Sequence, residues 1–170
     1  QGKADAVYFG IGKLNMRSKS SLNFTLNDLQ EIVSICKKNK IKTYLTLNTV
    51  MYDDDLREMK EVVDAAKKNK IDAVIVSDQA ALMYAKKKKV EIHLSTQINI
   101  SNYESLSFYA SYADVAVLAR ELTLKQVKEI SSAIKKNKLC GPSGKPFRIE
   151  LFAHGALCMA VSGKCYLSLH

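Results

Sequence analysis

Residues 67–76 read KKNKIDAVIV, and this stretch decides the fold. Lys67-Lys68-Asn69-Lys70 carries the cations and amide that close a helix, Ile71-Asp72 turns the chain, and Ala73–Val76 is a β-branched apolar run. The same succession of basic run, isoleucine and strand occurs at residues 37–45. A third Lys-Lys-Asn-Lys lies at residues 135–138, and Lys86–Lys89 forms a fourth basic run.

Helical periodicity precedes these runs. Leu56, Met59, Val62, Val63 and Ala66 fall at spacings of three and four, as do Leu26, Leu29, Ile32, Val33 and Cys36, and again Leu124, Val127, Ile130 and Ile134. Thr25 with Asp28 and Thr123 with Gln126 have the spacing of capping boxes, and Asp53, Asp78 and Asn102 are suited to N-caps. Six strands are expected, at Ala6–Gly10, Lys42–Leu47, Ala73–Ser77, Glu91–Ser95, Val115–Ala119 and Arg148–Ala153. An aspartate stands just before three of them, in Ala4-Asp5, Ile71-Asp72 and Ala113-Asp114. Repetition of strand, helix and strand argues for parallel pairing with right-handed crossovers, and the unbroken apolar runs suit strands covered on both faces.

The chain has 170 residues, 47% of them hydrophobic and 25% charged, which is ordinary for a soluble globular domain with one sizeable core. No apolar stretch has the length of a membrane span and no signal-peptide pattern is present. Four cysteines are too few for a secreted disulfide scaffold, so a reduced, cytoplasmic setting is expected. The net charge of +9 invites a nucleic-acid reading, but the four basic runs hold half of the 26 Lys and Arg residues and stand at helix ends. Cations there complement the macrodipole, and this structural reading is preferred.

In parallel α/β folds ligands bind beyond the C-terminal ends of the strands. Asn15 and Arg17 follow the first strand, Asn48 the second, and Ser77-Asp78 closes the third. Gln97 follows the fourth, Arg120-Glu121 the fifth and His154-Gly155 the sixth. Helix capping accounts for Asp78 but not for the others. The resulting expectation is a site with His154, Arg120 and Glu121 in catalytic roles and Asn15, Arg17, Asn48, Asp78 and Gln97 binding substrate. The arginines offer bidentate donors to carboxylate or phosphate. His93, inside a strand, reads as a packed histidine. Cys36 lies on the apolar face of its helix and Cys140 in a Leu-Cys-Gly-Pro loop. Cys158 and Cys165 are open to two readings, a metal-binding pair or a Cys158 nucleophile activated by His154.

The last stretch, ELFAHGALCMAVSGKCYLS at residues 150–168, resembles the signature of the collagenase-like peptidase family U32. Glu150, Phe152, Gly155, Ala156, Leu157, Cys158, Gly163, Cys165, Leu167 and Ser168 carry the resemblance. The resemblance implies a TIM-like (β/α)8 barrel, of which residues 1–170 are a single fragment lacking the first strand and the C-terminal part. The start, Gln1-Gly2-Lys3, has no initiator Met and accords with a cut chain. Open strand edges then predict self-association, as a dimer.

Members of this family are named as peptidases. Others resemble the chain and hydroxylate RNA bases or quinone precursors without oxygen, through a 4Fe–4S cluster. For the parent protein the resemblance thus implies either an iron–sulfur RNA hydroxylation enzyme, with Cys158 and Cys165 as cluster ligands, or a collagenase-like protease. Its substrate would be RNA or protein. Two thiolates cannot hold a cluster alone, so none is expected in this chain by itself, and the fragment is expected to be inactive.

Overall fold

The computed structural model describes residues 3–16, 18 and 24–155. Its elements alternate in chain order: β1 (Ala6–Gly10), α1 (Leu29–Lys38), β2 (Lys42–Leu47), α2 (Leu56–Lys68), β3 (Ala73–Val76), α3 (Gln79–Lys87), β4 (Ile92–Leu94), α4 (Tyr103–Tyr109), β5 (Val115–Val117), α5 (Leu124–Lys136) and β6 (Arg148–Glu150). The described residues divide into two compact units, one running to Glu91 and the other beginning at Ile92.

In the first unit β1 pairs parallel with β2, from Ala6 opposite Lys42 to Gly10 opposite Thr46. β2 pairs parallel with β3, from Tyr44 opposite Ala73 to Leu47 opposite Val76. Every residue of β3 is buried, which explains why its sequence lacks polar alternation. The apolar stripe of α2, Met59, Val62, Val63 and Ala66, is buried at the spacing read from the sequence. Burial of each larger side chain of this kind contributes about 1.5–3 kcal/mol. Leu29, Val33 and Cys36 of α1 are buried in the same way.

In the second unit β4 pairs parallel with β5, His93 standing opposite Val115, and β5 pairs parallel with β6, from Val115 opposite Arg148 to Val117 opposite Glu150. Ile130 and Ile134 anchor α5, whereas Leu124 at its start is exposed. β3 ends at Val76, one residue short of the expected Ser77, and the last three strands are also shorter than expected. Ser95 leaves β4 to start a short 3-10 turn, its hydroxyl accepting from Gln97 N, and residues 151–155 are exposed.

Both capping boxes form. Asp28 Oδ2 accepts from Thr25 N and Oγ1 at 2.7 and 2.8 Å, and Gln126 Oε1 accepts from the matching atoms of Thr123 at 2.8 Å each. Asp78 and Asn102 cap α3 and α4 through Ala80 N and Ser105 N. Asp53 is not the cap expected of it: the turn begins at Tyr52, whose N–H donates to Asp55 Oδ2 at 3.0 Å.

The four basic runs share one local structure. After α1, α2, α3 and α5 the residues Lys40, Lys70, Lys89 and Lys138 have φ of 58°, 59°, 56° and 50°. Each lysine N–H bonds the carbonyl three residues back. The next residue, Ile41, Ile71, Val90 or Leu139, reaches back five, to Cys36, Ala66, Ala85 or Ile134. This paired closure is the Schellman motif, with its usual apolar residue after the left-handed position. In Lys-Lys-Asn-Lys the asparagine adds a third bond: Asn39, Asn69 and Asn137 donate through Nδ2 to Ile35, Ala65 and Ala133. The left-handed position ordinarily belongs to glycine, because a side chain there costs about 1–2 kcal/mol.

The aspartates before the strands are tie points. Asp5, Asp72 and Asp114 each exchange a backbone bond with the neighbouring strand, through Lys42 N, Thr43 O and Arg148 N. Asp72 Oδ2 also accepts from Thr43 N and Oγ1 at 2.8 and 2.9 Å. Asp114, buried, accepts from Ser143 N and Oγ at 3.1 and 2.5 Å. A Cβ on Gly141 would meet Asp114 Oδ1 at 2.4 Å and Ala113 O at 2.7 Å, so only glycine lets the loop before β6 close over this carboxylate.

Candidate functional site

In the first unit the loop after β1 folds back over the strand end. Its bend needs two glycines. Gly12 has φ +51°, and a Cβ on Gly10 would lie 2.4–2.7 Å from the Asn15 carboxamide. Asn15 is thereby buried, its Nδ2 donating to Gly12 O at 3.2 Å. Asn48, just past β2, accepts at Oδ1 from Met16 N at 3.3 Å. The structure thus brings Asn15 and Asn48 into one carboxamide-lined loop at the C-terminal ends of β1 and β2. Lys13 fastens the same loop to the start of α2, with Nζ 2.7 Å from Asp55 and 3.7 Å from Glu58. The hydrogen bond to Asp55 raises the Lys13 ammonium above its ordinary range, and the Lys13 bond lowers the Asp55 carboxyl.

Asp78 Oδ1 accepts from Ala80 N at 2.7 Å, so its carboxylate is engaged as the cap of α3. Arg17 lies outside the described residues, as do Cys158 and Cys165.

In the second unit Gln97 follows β4 and is half-buried, its N–H donating to Ser95 Oγ at 3.3 Å. Arg120 and Glu121 form an exposed turn two buried residues past β5, and His154 is exposed beyond β6. Because these strands are parallel, all four residues stand past the same end of their sheet.

The pair that sequence reasoning missed is His93 with Glu150. His93 is completely buried on β4, and its Nδ1 lies 3.5 Å from Glu150 Oε1 on β6. The separation is ion-pair range, longer than an ordinary N–H···O bond. The Glu150 side chain is 41% exposed, so the couple has a buried imidazole at one end and an accessible carboxylate at the other. Such a couple can hold a proton or orient a polar ligand. The register places both residues on the face that carries Val115, Val117 and Arg148. One signal was available: Glu91, His93 and Ser95 alternate with Ile92 and Leu94 along the expected strand.

Among the described residues no cluster of three or more His, Cys, Asp or Glu side chains is disposed to hold a metal ion. Cys36 is buried in α1, and Cys140 sits in the loop before β6 with its thiol 3.4 Å from Lys138 O. No described helix is long and apolar enough to cross a membrane.

The family model for peptidase family U32 matches residues 1–170. The chain belongs to peptidase family U32. A U32 collagenase of Porphyromonas gingivalis is 60% identical over 167 residues, 98% of this chain and 40% of that protein. The 23S rRNA 5-hydroxycytidine synthase of Escherichia coli is 34% identical over 166 residues, 97% of this chain and 23% of that protein. The chain therefore spans well under half of the curated U32 relatives it matches. A solved U32 peptidase structure superposes with a TM-score of 0.63 over 76% of this chain and 57% of that one, at 15% identity. That likeness and the strand–helix alternation bear out the expected fold class, a partial TIM-like α/β fold.

Proposed function

We propose that the protein containing this U32 segment hydroxylates RNA bases with the help of an iron–sulfur cluster. The observation that carries the reading is the pair of signature thiols, Cys158 and Cys165. Hydrolysis needs one nucleophile or one water-activating base, whereas two thiolates are soft donors suited to iron–sulfur ligation. They are half of a four-thiolate set. Cys36, in a helix core, and Cys140, in a loop on the opposite side of β6 from His154, do not complete it, so the other ligands come from outside this chain. When bound, the cluster supplies one-electron chemistry.

The segment's own residues supply recognition. Arg17 and Arg120 hold phosphate or carboxylate oxygens bidentately. Asn15, Asn48 and Gln97 offer paired donors and acceptors that match base edges. His154 and Glu121, exposed at the strand ends, move protons, and Asp78 sets the start of α3. The relatives named for rRNA and tRNA hydroxylation align with 97–98% of this chain, which supports the reading. The test is mass spectrometry of RNA nucleosides from cells lacking the parent gene. Loss of a hydroxylated nucleoside, restored by the gene, is expected; an unchanged nucleoside profile refutes the proposal.

A second reading, proteolysis, is favoured by the His93–Glu150 couple, which could activate a water, and by the name of the 60% identical relative. It predicts collagen or gelatin cleavage that survives iron chelation in air.

A further inference from the structure

The four lysines in left-handed conformation occupy positions where glycine would be the less strained choice. The helix ends do not need them for charge, since α1, α2, α3 and α5 each already carry two lysines in the last turn. A local rule broken in the same way at every one of these helix ends points to a use for the side chain.

In the first unit Lys40, Lys70 and Lys89 lie just ahead of strands, on the edge opposite to Asn15, Asn48 and Asp78. Residues 37–42, 67–72 and 86–91 contain four, three and four lysines against two acids, Asp72 and Glu91, so their net charge equals the +9 of the whole chain. A groove of about 410 Å³ runs along this edge between Lys67, Lys70 and Lys89, with Asp72 and Glu91 also on its wall. The closure fixes the backbone from which Lys70 and Lys89 project, and Lys67 Nζ bonds Lys89 O at 3.0 Å. Asp72 is occupied with Thr43. The apolar residues of the groove, Ile71 and Val90, are buried, at 7% and 8% exposure, so they offer no apolar anchor to a protein partner. A dense, regularly spaced row of cations without such an anchor fits a phosphate backbone.

We infer that this lysine edge is a second, sequence-independent binding surface for a nucleic-acid strand, at the end of the first unit's strands opposite to Asn15, Asn48 and Asp78. Binding of the strand does not depend on which chemistry the site performs; on the proposed reading the strand held is substrate RNA, gripped away from the reacting base.

The test uses the full-length protein carrying Lys40→Gly, Lys70→Gly and Lys89→Gly together. Binding of a labelled oligouridylate is followed by fluorescence anisotropy across a salt series, alongside thermal unfolding. For three lost phosphate contacts the log–log salt slope should fall by about two. Affinity at low salt should drop at least tenfold while the melting temperature rises. A Lys→Gln version at the same positions, which keeps a side chain on the left-handed backbone, should lose affinity equally without the gain in stability. Unchanged affinity and slope in both variants would overturn the inference. So would equal binding of polyglutamate, with equal loss in the variants, because the edge would then be a site for acidic protein. Neither result bears on the nucleoside test of the catalytic reading.

Discussion

Three aspartates occupy the same position in sequence, just ahead of a strand, yet the structure predicts unequal costs for removing them. Asp114 is buried at 8% exposure and its carboxylate takes two hydrogen bonds from Ser143. Hydrogen bonds to a charged group contribute about 1.5–3 kcal/mol each, and loss of the acceptor leaves the Ser143 N–H and hydroxyl without this partner. Release of a loop that is partly exposed offsets some of this, so Asp114→Ala should cost about 3 kcal/mol. For a chain of 170 residues this lowers the melting temperature by about 6–12 °C. Asp72 makes the same kind of bonds to Thr43 but is exposed, and water can replace its oxygens, so Asp72→Ala should cost about 1 kcal/mol. Asp5 meets the next strand through its backbone carbonyl, which alanine keeps, and Asp5→Ala should fall within about 0.5 kcal/mol of the parent. Asp114→Asn retains an acceptor and should recover more than half of the loss. Thermal unfolding followed by circular dichroism gives the order. Equal costs at the three positions, or a loss at Asp114 no larger than at Asp5, would refute the assignment of stability to the buried carboxylate.

Thr123→Ala removes half of a capping box on α5 and should cost about 1 kcal/mol by thermal or denaturant unfolding. The backbone N–H and hydroxyl of Thr25 hold the Asp28 carboxyl below its usual range, and Lys13 and Lys88 do the same for Asp55 and Asp64. With folded values depressed, this stabilisation is present above the unfolded value near pH 4 and is lost as pH falls through the folded value. The melting temperature should therefore drop below about pH 4, and less steeply in Asp28→Asn. Gly10→Ala should displace the Asn15 carboxamide, the atoms a Cβ would meet at 2.4–2.7 Å. Activity of the parent protein should fall while most of the folded signal remains; unaltered activity removes Asn15 from the site.

Much of the fold was legible because its signals are local. β1 and β2 have the limits read from the sequence, since each is an apolar run bounded by polar or glycine turns. The stripe of α2 repeats over two turns and admits no other period. What was hidden depends on distant partners. His93 looks like a packed histidine until β6 brings Glu150 to within 3.5 Å. The strand ends after β4 and β5 are set by turn bonds such as Thr96 Oγ1 to Leu118 O, which an apolar run does not reveal. The helix closures carry lysine where glycine is expected, so their motif was visible only in the apolar residue that follows and, at three of the four, in the asparagine before it. At the site, the polar residues past each strand were found because that end of a parallel sheet is where ligands bind.

The central claim is that Cys158 and Cys165 act as a matched pair of ligands. It is tested most directly by replacing each alone with serine in the full-length protein and measuring bound iron after anaerobic purification, together with the hydroxylated nucleoside in cellular RNA. The account predicts that either substitution removes both iron and product to a similar degree. Loss of activity for Cys158→Ser alone, with iron unchanged and Cys165→Ser fully active, would contradict it and identify a single nucleophilic thiol instead.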